Sequence, residues 1–149
     1  MSSRKTGFVR KLALIIATGS GVAVLGALPA AAAAPGATVT PSSGLQNGQS
    51  VTAEGTGFPA GEQIGVMQCG PGDWPAVSCD FADRVIVTAN AGGGFTTPVI
   101  VRASYDGVDP VEGKPAGTVD CTAVACSLRF GSITNGSVFA NPVILGFGA

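Results

Sequence analysis

The four cysteines, Cys69, Cys79, Cys121 and Cys126, carry the most distinctive chemistry in this chain of 149 residues. An even number of cysteines in a small chain that carries an export signal (described below) is typical of disulfides. Four cysteines allow three pairings, and we predict Cys69–Cys79 and Cys121–Cys126 because each closes a short loop. Each bond would stabilise the fold by about 2–3 kcal/mol, through its effect on the unfolded chain. The sequence has no CxxC pair and no histidine, which argues against a zinc site.

Side-chain combinations suited to catalysis are scarce. Because the chain contains no histidine, neither a Ser-His-Asp nor a Cys-His arrangement can form. A pair of carboxylates could serve in acid–base catalysis, but acids in the loops of an acidic protein are usually just solvated. We therefore predict that the protein is not an enzyme, and a peptidase acting on basic proteins ranks last among the hypotheses. The acids concerned are Asp73, Asp80, Asp83, Asp106, Asp109 and Glu112.

The N-terminal segment has the order basic, apolar, small that marks a secretory signal peptide. Arg4, Lys5, Arg10 and Lys11 precede an apolar run over residues 12–28, and alanines follow Pro29. We predict a signal peptide at residues 1–32, a mature domain at residues 33–149, and secretion from the cell. The alternative is a retained membrane anchor, but the run is shorter than the roughly 20 residues that a span needs. We expect no membrane association after cleavage.

Cleavage would leave an acidic protein. Four of the eight Lys and Arg lie in the predicted signal peptide and none of the nine Asp and Glu, so the mature net charge is near −5. Such a charge disfavours direct binding to DNA phosphates. We expect a monomer that meets DNA only indirectly, through a bound ligand.

Short apolar bursts separated by Gly, Pro, Asn and Asp indicate an all-β domain. The predicted strands suggest an antiparallel sandwich of immunoglobulin type. Two long irregular stretches, residues 70–81 and 104–117, should project from one end of the sandwich and flank a cleft. The strands are predicted at residues 37–40, 50–54, 63–69, 84–88, 94–101, 118–122, 126–130 and 138–147, the last broken by Pro142.

Several segments together resemble the neocarzinostatin family of antibiotic-carrier proteins. They are the predicted mature start AAPGATVTPSSGL at residues 33–45, Gln68-Cys69 with Cys79 ten residues on, residues 102–107, and GTVDCTAVAC at residues 117–126. The resemblance implies an immunoglobulin-like sandwich of seven strands with a small two-ribbon subdomain. It also implies a cleft between them that holds an enediyne chromophore non-covalently. In such a carrier the protein shields the ligand, and the released ligand damages DNA.

The resemblance places the ligand near the first disulfide, so Cys69 and Cys79 become candidate ligand contacts. Side chains alternate along a strand, which puts other residues on the same face as Cys69. Met67 offers a soft surface there, although it could equally be ordinary core. The residues predicted on that face are Gly65 and Met67; by the same parity, Ser127 and Arg129 should share a face of the later strand as further ligand contacts, with Leu128 and Phe130 packed.

Two positions depart from the family pattern. Where the family has aromatic residues, this chain has Pro71 and Arg84. Trp74 and Phe81 lie nearby in the sequence, and we predict that they contact the ligand instead. The alternative for Trp74 is a hydrophobic plug that caps the end of the sandwich.

Arg84 and Arg129 are both predicted to face the cleft. If they do, the cleft would favour an anionic or hydrogen-bonding ligand. The alternative is that each pairs with a neighbouring acid such as Asp83 or Asp80.

The function predicted from these features is a secreted, non-catalytic carrier of a small hydrophobic, enediyne-type antibiotic. Antibacterial action and DNA damage would belong to the ligand. No other cofactor and no metal are expected. The alternative is a relative that lost its ligand and acts as a secreted interaction or adhesion module.

Overall fold

A computed structural model describes residue 26 and residues 34–148. The predicted signal peptide at residues 1–32 therefore lies outside the described residues, except for Gly26. No helix among the described residues has the length and apolar character needed to cross a membrane. Residues 34–148 form nine strands, which are β1 (Gly36–Thr40), β2 (Gln49–Thr56), β3 (Gln63–Cys69), β4 (Val85–Thr88), β5 (Phe95–Val101), β6 (Ser104–Val108), β7 (Pro115–Asp120), β8 (Cys126–Ser132) and β9 (Val143–Leu145).

Seven of these strands form two antiparallel sheets. One sheet has the order β1-β2-β5 and the other the order β4-β3-β8-β9. Alternate residues of both sheets point inward, as the burial of β2 and β5 shows. The predicted all-β sandwich of immunoglobulin type is confirmed.

The core lies between the two sheets. Buried residues from the first sheet, such as Val51 and Val99, join Ile64, Val66 and Leu128 from the second in one apolar cluster. Burial of this apolar area is the main source of the domain's stability.

Three phenylalanines extend this core. The Phe95 ring lies 5.6 Å from Phe58 and 6.4 Å from Phe130, measured between ring centroids. The Phe95 ring also lies so close to Gly55 that a Cβ there would overlap it.

A two-ribbon subdomain sits beside the sandwich. Both predicted disulfides are present, and Cys69–Cys79 closes the first ribbon. Strands β6 and β7 form the second ribbon. Cys79 and Val108 exchange two backbone hydrogen bonds of 3.0 and 2.9 Å, which join the ribbons. Gly107 permits this close approach, because a Cβ there would overlap the Ser78 hydroxyl.

The strand bounds differ from the sequence-based expectations in the second half of the chain. Strand β6 lies within a stretch expected to be irregular, and β7 begins at Pro115 rather than at residue 118. The predicted strand at residues 138–147 is wrong for its first part. Val138 accepts a hydrogen bond from Ser132 N, and Ala140 N donates to Phe130 O, so the chain turns back against β8 before β9 begins.

Candidate ligand-binding cavity

A cavity of about 700 Å³ opens over the outer face of the sheet β4-β3-β8-β9. Its walls come from three segments: the loop closed by Cys69–Cys79, the end of β8 with the turn that follows, and the tip of the second ribbon. The lining is mostly apolar. It comprises Gly65, Met67, Asp73, Trp74, Phe81, Arg84, Pro110, the segment 129–133, Gly136, Val138, Phe139, Ala140 and Pro142.

Strand pairing places the floor of the cavity. Met67 is paired with Arg129, and Gly65 with Gly131, across β3 and β8. Intervening residues such as Leu128 and Phe130 point into the core instead. Alternation along each strand predicted that Gly65 shares a face with Met67 and Ser127 with Arg129, and the pairing of β3 with β8 makes these one continuous face. Met67 is half-buried and lines the cavity.

Four aromatic residues line the cavity, and one of them, Phe130, turns its ring into the core. Trp74 and Phe139 expose 56% and 59% of their surface, and Phe81 is partly buried. Such exposure does not suit the alternative that Trp74 is a buried plug. The sequence did not point to Phe139, because it fell in the first part of the strand predicted at residues 138–147. The turn after β8 brings it opposite Gly131 at an isolated β-bridge.

Glu62 holds that turn in place. Its carboxylate accepts hydrogen bonds from the hydroxyls of Ser132 and Thr134. These bonds hold the pKa of Glu62 below its usual range. Ile133 N also donates to Gln63 O at 3.0 Å. The cavity wall at Ser132 and Ile133 is therefore fastened to the start of β3.

Both arginines predicted to face the cleft line the cavity. The Arg84 guanidinium lies over the Phe81 ring, 4.9 Å from its centroid. Arg129 Nη2 donates to Gly72 O at 2.5 Å. Among the described residues neither arginine forms an ion pair, so the alternative that each pairs with Asp83 or Asp80 is wrong; Asp83 Oδ2 lies 2.6 Å from Arg102 Nε instead.

Three predicted contact residues do not line the cavity. Cys69 and Cys79 are fully buried, packed with Val77 beneath Met67 and Phe81. Ser127 is paired with Cys69 across β3 and β8 and is only 5% exposed. Alternation placed Cys69 and Ser127 on the correct face, but the disulfide-closed loop covers that part of it. The prediction that these three line the cleft needs this correction, and Cys69–Cys79 contributes by closing the loop that carries Trp74.

The second ribbon is joined to that loop through a buried tyrosine. Tyr105 is 7% exposed, and its hydroxyl donates to Ser78 O at 3.1 Å. Burial raises the pKa of Tyr105, so the phenol stays protonated at any physiological pH. Tyr105 thereby fixes the position of the ribbon whose Pro110 reaches the cavity.

A second depression of about 600 Å³ lies over β1, β2 and β5. It is more open, and small or polar side chains line most of it. Phe95, its only aromatic residue, is 7% exposed because its ring faces the core. Residues 34–148 also contain no grouping of three or more His, Cys, Asp or Glu side chains suited to a metal ion. The cavity over β4-β3-β8-β9 is the better candidate for an apolar ligand.

The described residues thus form a seven-stranded β-sandwich with two disulfide-bonded loops and an open apolar cavity. The chain belongs to the neocarzinostatin family, whose family model matches residues 37–147. The resemblance noted in the sequence is thus confirmed over nearly all of the described domain.

Individual relatives agree with this assignment. Macromomycin of Streptomyces macromomyceticus is 42% identical over 99 residues, which cover 66% of this chain and 69% of that protein. The "Antitumor antibiotic C-1027 apoprotein" of Streptomyces globisporus is 43% identical over 101 residues, 67% of this chain and 68% of that protein.

Solved structures give the same result. The structure of macromomycin superposes with a TM-score of 0.70 at 39% identity, covering 77% of this chain and all of that one. The solution conformation of apokedarcidin gives 0.60 at 28% identity, with 78% and 100% covered.

Proposed function

We propose that this protein is a secreted, non-catalytic carrier that binds a small hydrophobic chromophore of the enediyne type and shields it. The observation that carries the proposal is the apolar cavity of about 700 Å³ with exposed Trp74 and Phe139 at its walls. A cavity of this size and lining suits a drug-sized molecule. Membership of the neocarzinostatin family, with a relative named as an antibiotic apoprotein, supports the same function.

The cavity's side chains suit a flat, unsaturated ligand. Trp74 and Phe139 offer aromatic faces for stacking. Met67 on β3 has a flexible side chain that adapts to irregular ligand shapes. Neither aromatic side chain is needed to fill the core, since both are more than half exposed. Their exposure in water is unfavourable and would be relieved by a bound apolar molecule.

Export and charge complete the proposal. We propose that residues 1–32 are removed on secretion and that the mature domain acts as a monomer. The two disulfides suit an oxidising compartment. Residues 34–148 hold all nine acids of the chain and four of its eight cations. A net charge near −5 disfavours direct contact with DNA, so any action on DNA would be the ligand's.

Native mass spectrometry of the protein purified from its own producing cells tests the proposal. We expect an additional, non-covalent mass that is lost on denaturation. The Phe139→Ala variant should retain less of that mass, whereas Val124→Ala, which truncates an exposed apolar residue on the other disulfide loop, should retain as much as the wild type. Recovery of bare polypeptide alone, from cells that make the protein during antibiotic production, would contradict the proposal.

The alternative of a secreted interaction module is supported by two residues outside the cavity. Ile86 and Ile144 are exposed, and pairing with Gly65 and Ser127 places them on the same sheet face as the cavity. An apolar face of this kind also suits a protein partner. Loss of partner binding in Ile86→Ser with Ile144→Ser, without any change in small-molecule binding, would favour this alternative.

A further inference from the structure

The cations of the domain are distributed unevenly. Residues 34–148 contain four, Arg84, Arg102, Lys114 and Arg129, against nine acids. Arg102 pairs with Asp83 and Lys114 with Glu112. Within the described residues the other two form no ion pair, and both line the cavity. Although the domain has more acids than cations, the two arginines without an ion pair therefore both lie in the proposed ligand site.

The two arginines lie in one row across three adjacent strands. Arg129 on β8 is paired with Met67 on β3. Arg84 is one position beyond the last β3–β4 pair, Val66–Val85, and is therefore level with Met67. Two strand spacings separate Arg84 from Arg129, which puts their Cα atoms about 10 Å apart. Their side chains flank Met67 on the floor of the cavity.

Each guanidinium is held while hydrogen-bond donors stay free. The Arg84 guanidinium lies over the Phe81 ring, a cation–π contact that uses none of its N–H groups as hydrogen-bond donors. Arg129 is tied by one bond to Gly72 O, and its buried Nε has no partner among the described residues. Apart from this buried Nε, the terminal N–H groups that these contacts leave unused can donate to an acceptor on a ligand.

One acid also lines the cavity. Asp73 lies on the disulfide-closed loop next to Trp74, but it forms no ion pair with either arginine. The charged side chains of the lining are therefore two cations and one anion. A partly enclosed site with excess positive charge attracts anions, and arginine matches the planar shape of a carboxylate.

We propose that the cavity selects ligands that combine a flat apolar body with a carboxylate, which Arg84 and Arg129 bind. This rests on the proposed carrier function and specifies the chemical class of its ligand. The apolar body lies against Trp74, Phe139 and Met67, and the carboxylate lies over the row of the two arginines.

Three probes that share an anthracene body and carry an anionic, a neutral or a cationic group at the same position test the inference. They are anthracene-9-carboxylate, its neutral carboxamide, and the cationic anthracen-9-ylmethylammonium. Calorimetric titration of the mature protein at neutral pH should show the carboxylate binding at least about tenfold more tightly than the amide, which corresponds to about 1.4 kcal/mol. The cation should bind more weakly than the amide.

Variants then assign the preference to the two arginines. Arg84→Gln and Arg129→Gln should each reduce carboxylate affinity, and the double variant should bind carboxylate and amide equally. Arg84→Gln keeps the bond between Arg129 and Gly72, so its effect does not depend on movement of the loop. Lys114→Gln removes the same charge outside the cavity lining and should leave the preference unchanged.

The outcomes separate the two proposals. If the wild type binds the amide and the carboxylate equally well, the carboxylate inference is wrong and the carrier function stands. If the preference survives in the double variant, another group recognises the anion and the inference is again wrong. If none of the three probes binds, the proposed apolar carrier site is overturned together with the inference.

Discussion

Removing the Cys69–Cys79 bond should lower both the stability of the domain and its affinity for an apolar ligand. The bond spans a separation of 10 residues, for which loop-closure entropy predicts a loss of about 2.7 kcal/mol in the free energy of unfolding. In a domain of this size that is a fall in Tm of about 10 °C. The Cys69→Ala, Cys79→Ala double variant is the test.

The effect on binding follows from the position of the loop. The disulfide closes the segment that carries Trp74 at the cavity wall. Without it, the loop is held by Arg129 and by backbone bonds such as Gly70 N to Ser78 O at 2.9 Å. Ordering Trp74 on binding would then cost about 0.5–1.5 kcal/mol, roughly a 2- to 10-fold rise in Kd.

The second disulfide supplies the matched control. Cys121–Cys126 has a separation of 5, which predicts a loss of about 2 kcal/mol, and neither cysteine lines the cavity. Melting followed by circular dichroism gives stability. Quenching of Trp74, the only tryptophan of the chain, by anthracene-9-carboxamide gives Kd at a temperature where both variants are folded. Equal Kd values in the two double variants would refute the argument that Cys69–Cys79 shapes the cavity.

Three further predictions test the packing, the aromatic wall and the surface charges. Gly55→Ala should destabilise the domain by about 1–3 kcal/mol in urea unfolding, because the new Cβ overlaps the Phe95 ring, whereas Gly136→Ala, with open space around it, should change stability little. Phe139→Ala should weaken binding of anthracene-9-carboxamide severalfold with almost no change in Tm, since the ring is 59% exposed; a large fall in Tm would show that the ring supports the fold. Hydrogen bonds from backbone N–H groups lower the pKa of Asp109 from its ordinary 3.8, so its stabilising effect is present above that pH and is lost as the pH falls through the lowered value. Asp109→Asn should therefore flatten the acid limb of the stability–pH profile, and an unchanged limb would contradict this.

Much of the cavity floor was predictable from sequence, because alternation along a strand is local. Gly65 was placed with Met67, and Ser127 with Arg129, before any partner strand was known, and the pairing of β3 with β8 joins the two faces. The disulfide pairing was also predictable, because cysteines 10 and 5 residues apart can meet within a short loop. Alternation along a strand does not predict which other segments of the chain pack against a sheet face. Cys69 and Ser127 were therefore expected in the cavity, yet both are buried away from it.

The amino-acid sequence determined the strands, their two faces, the local disulfides and the family, because each depends on residue types close together in the chain. The tertiary structure decided which residues line the cavity. Phe139 reaches the cavity because the chain turns back to bond with β8 at Ala140, and Asp83 pairs with the distant Arg102 rather than with its neighbour Arg84. These are choices between partners distant in sequence, and they are settled by which hydrogen bonds and ion pairs the packed domain can form together.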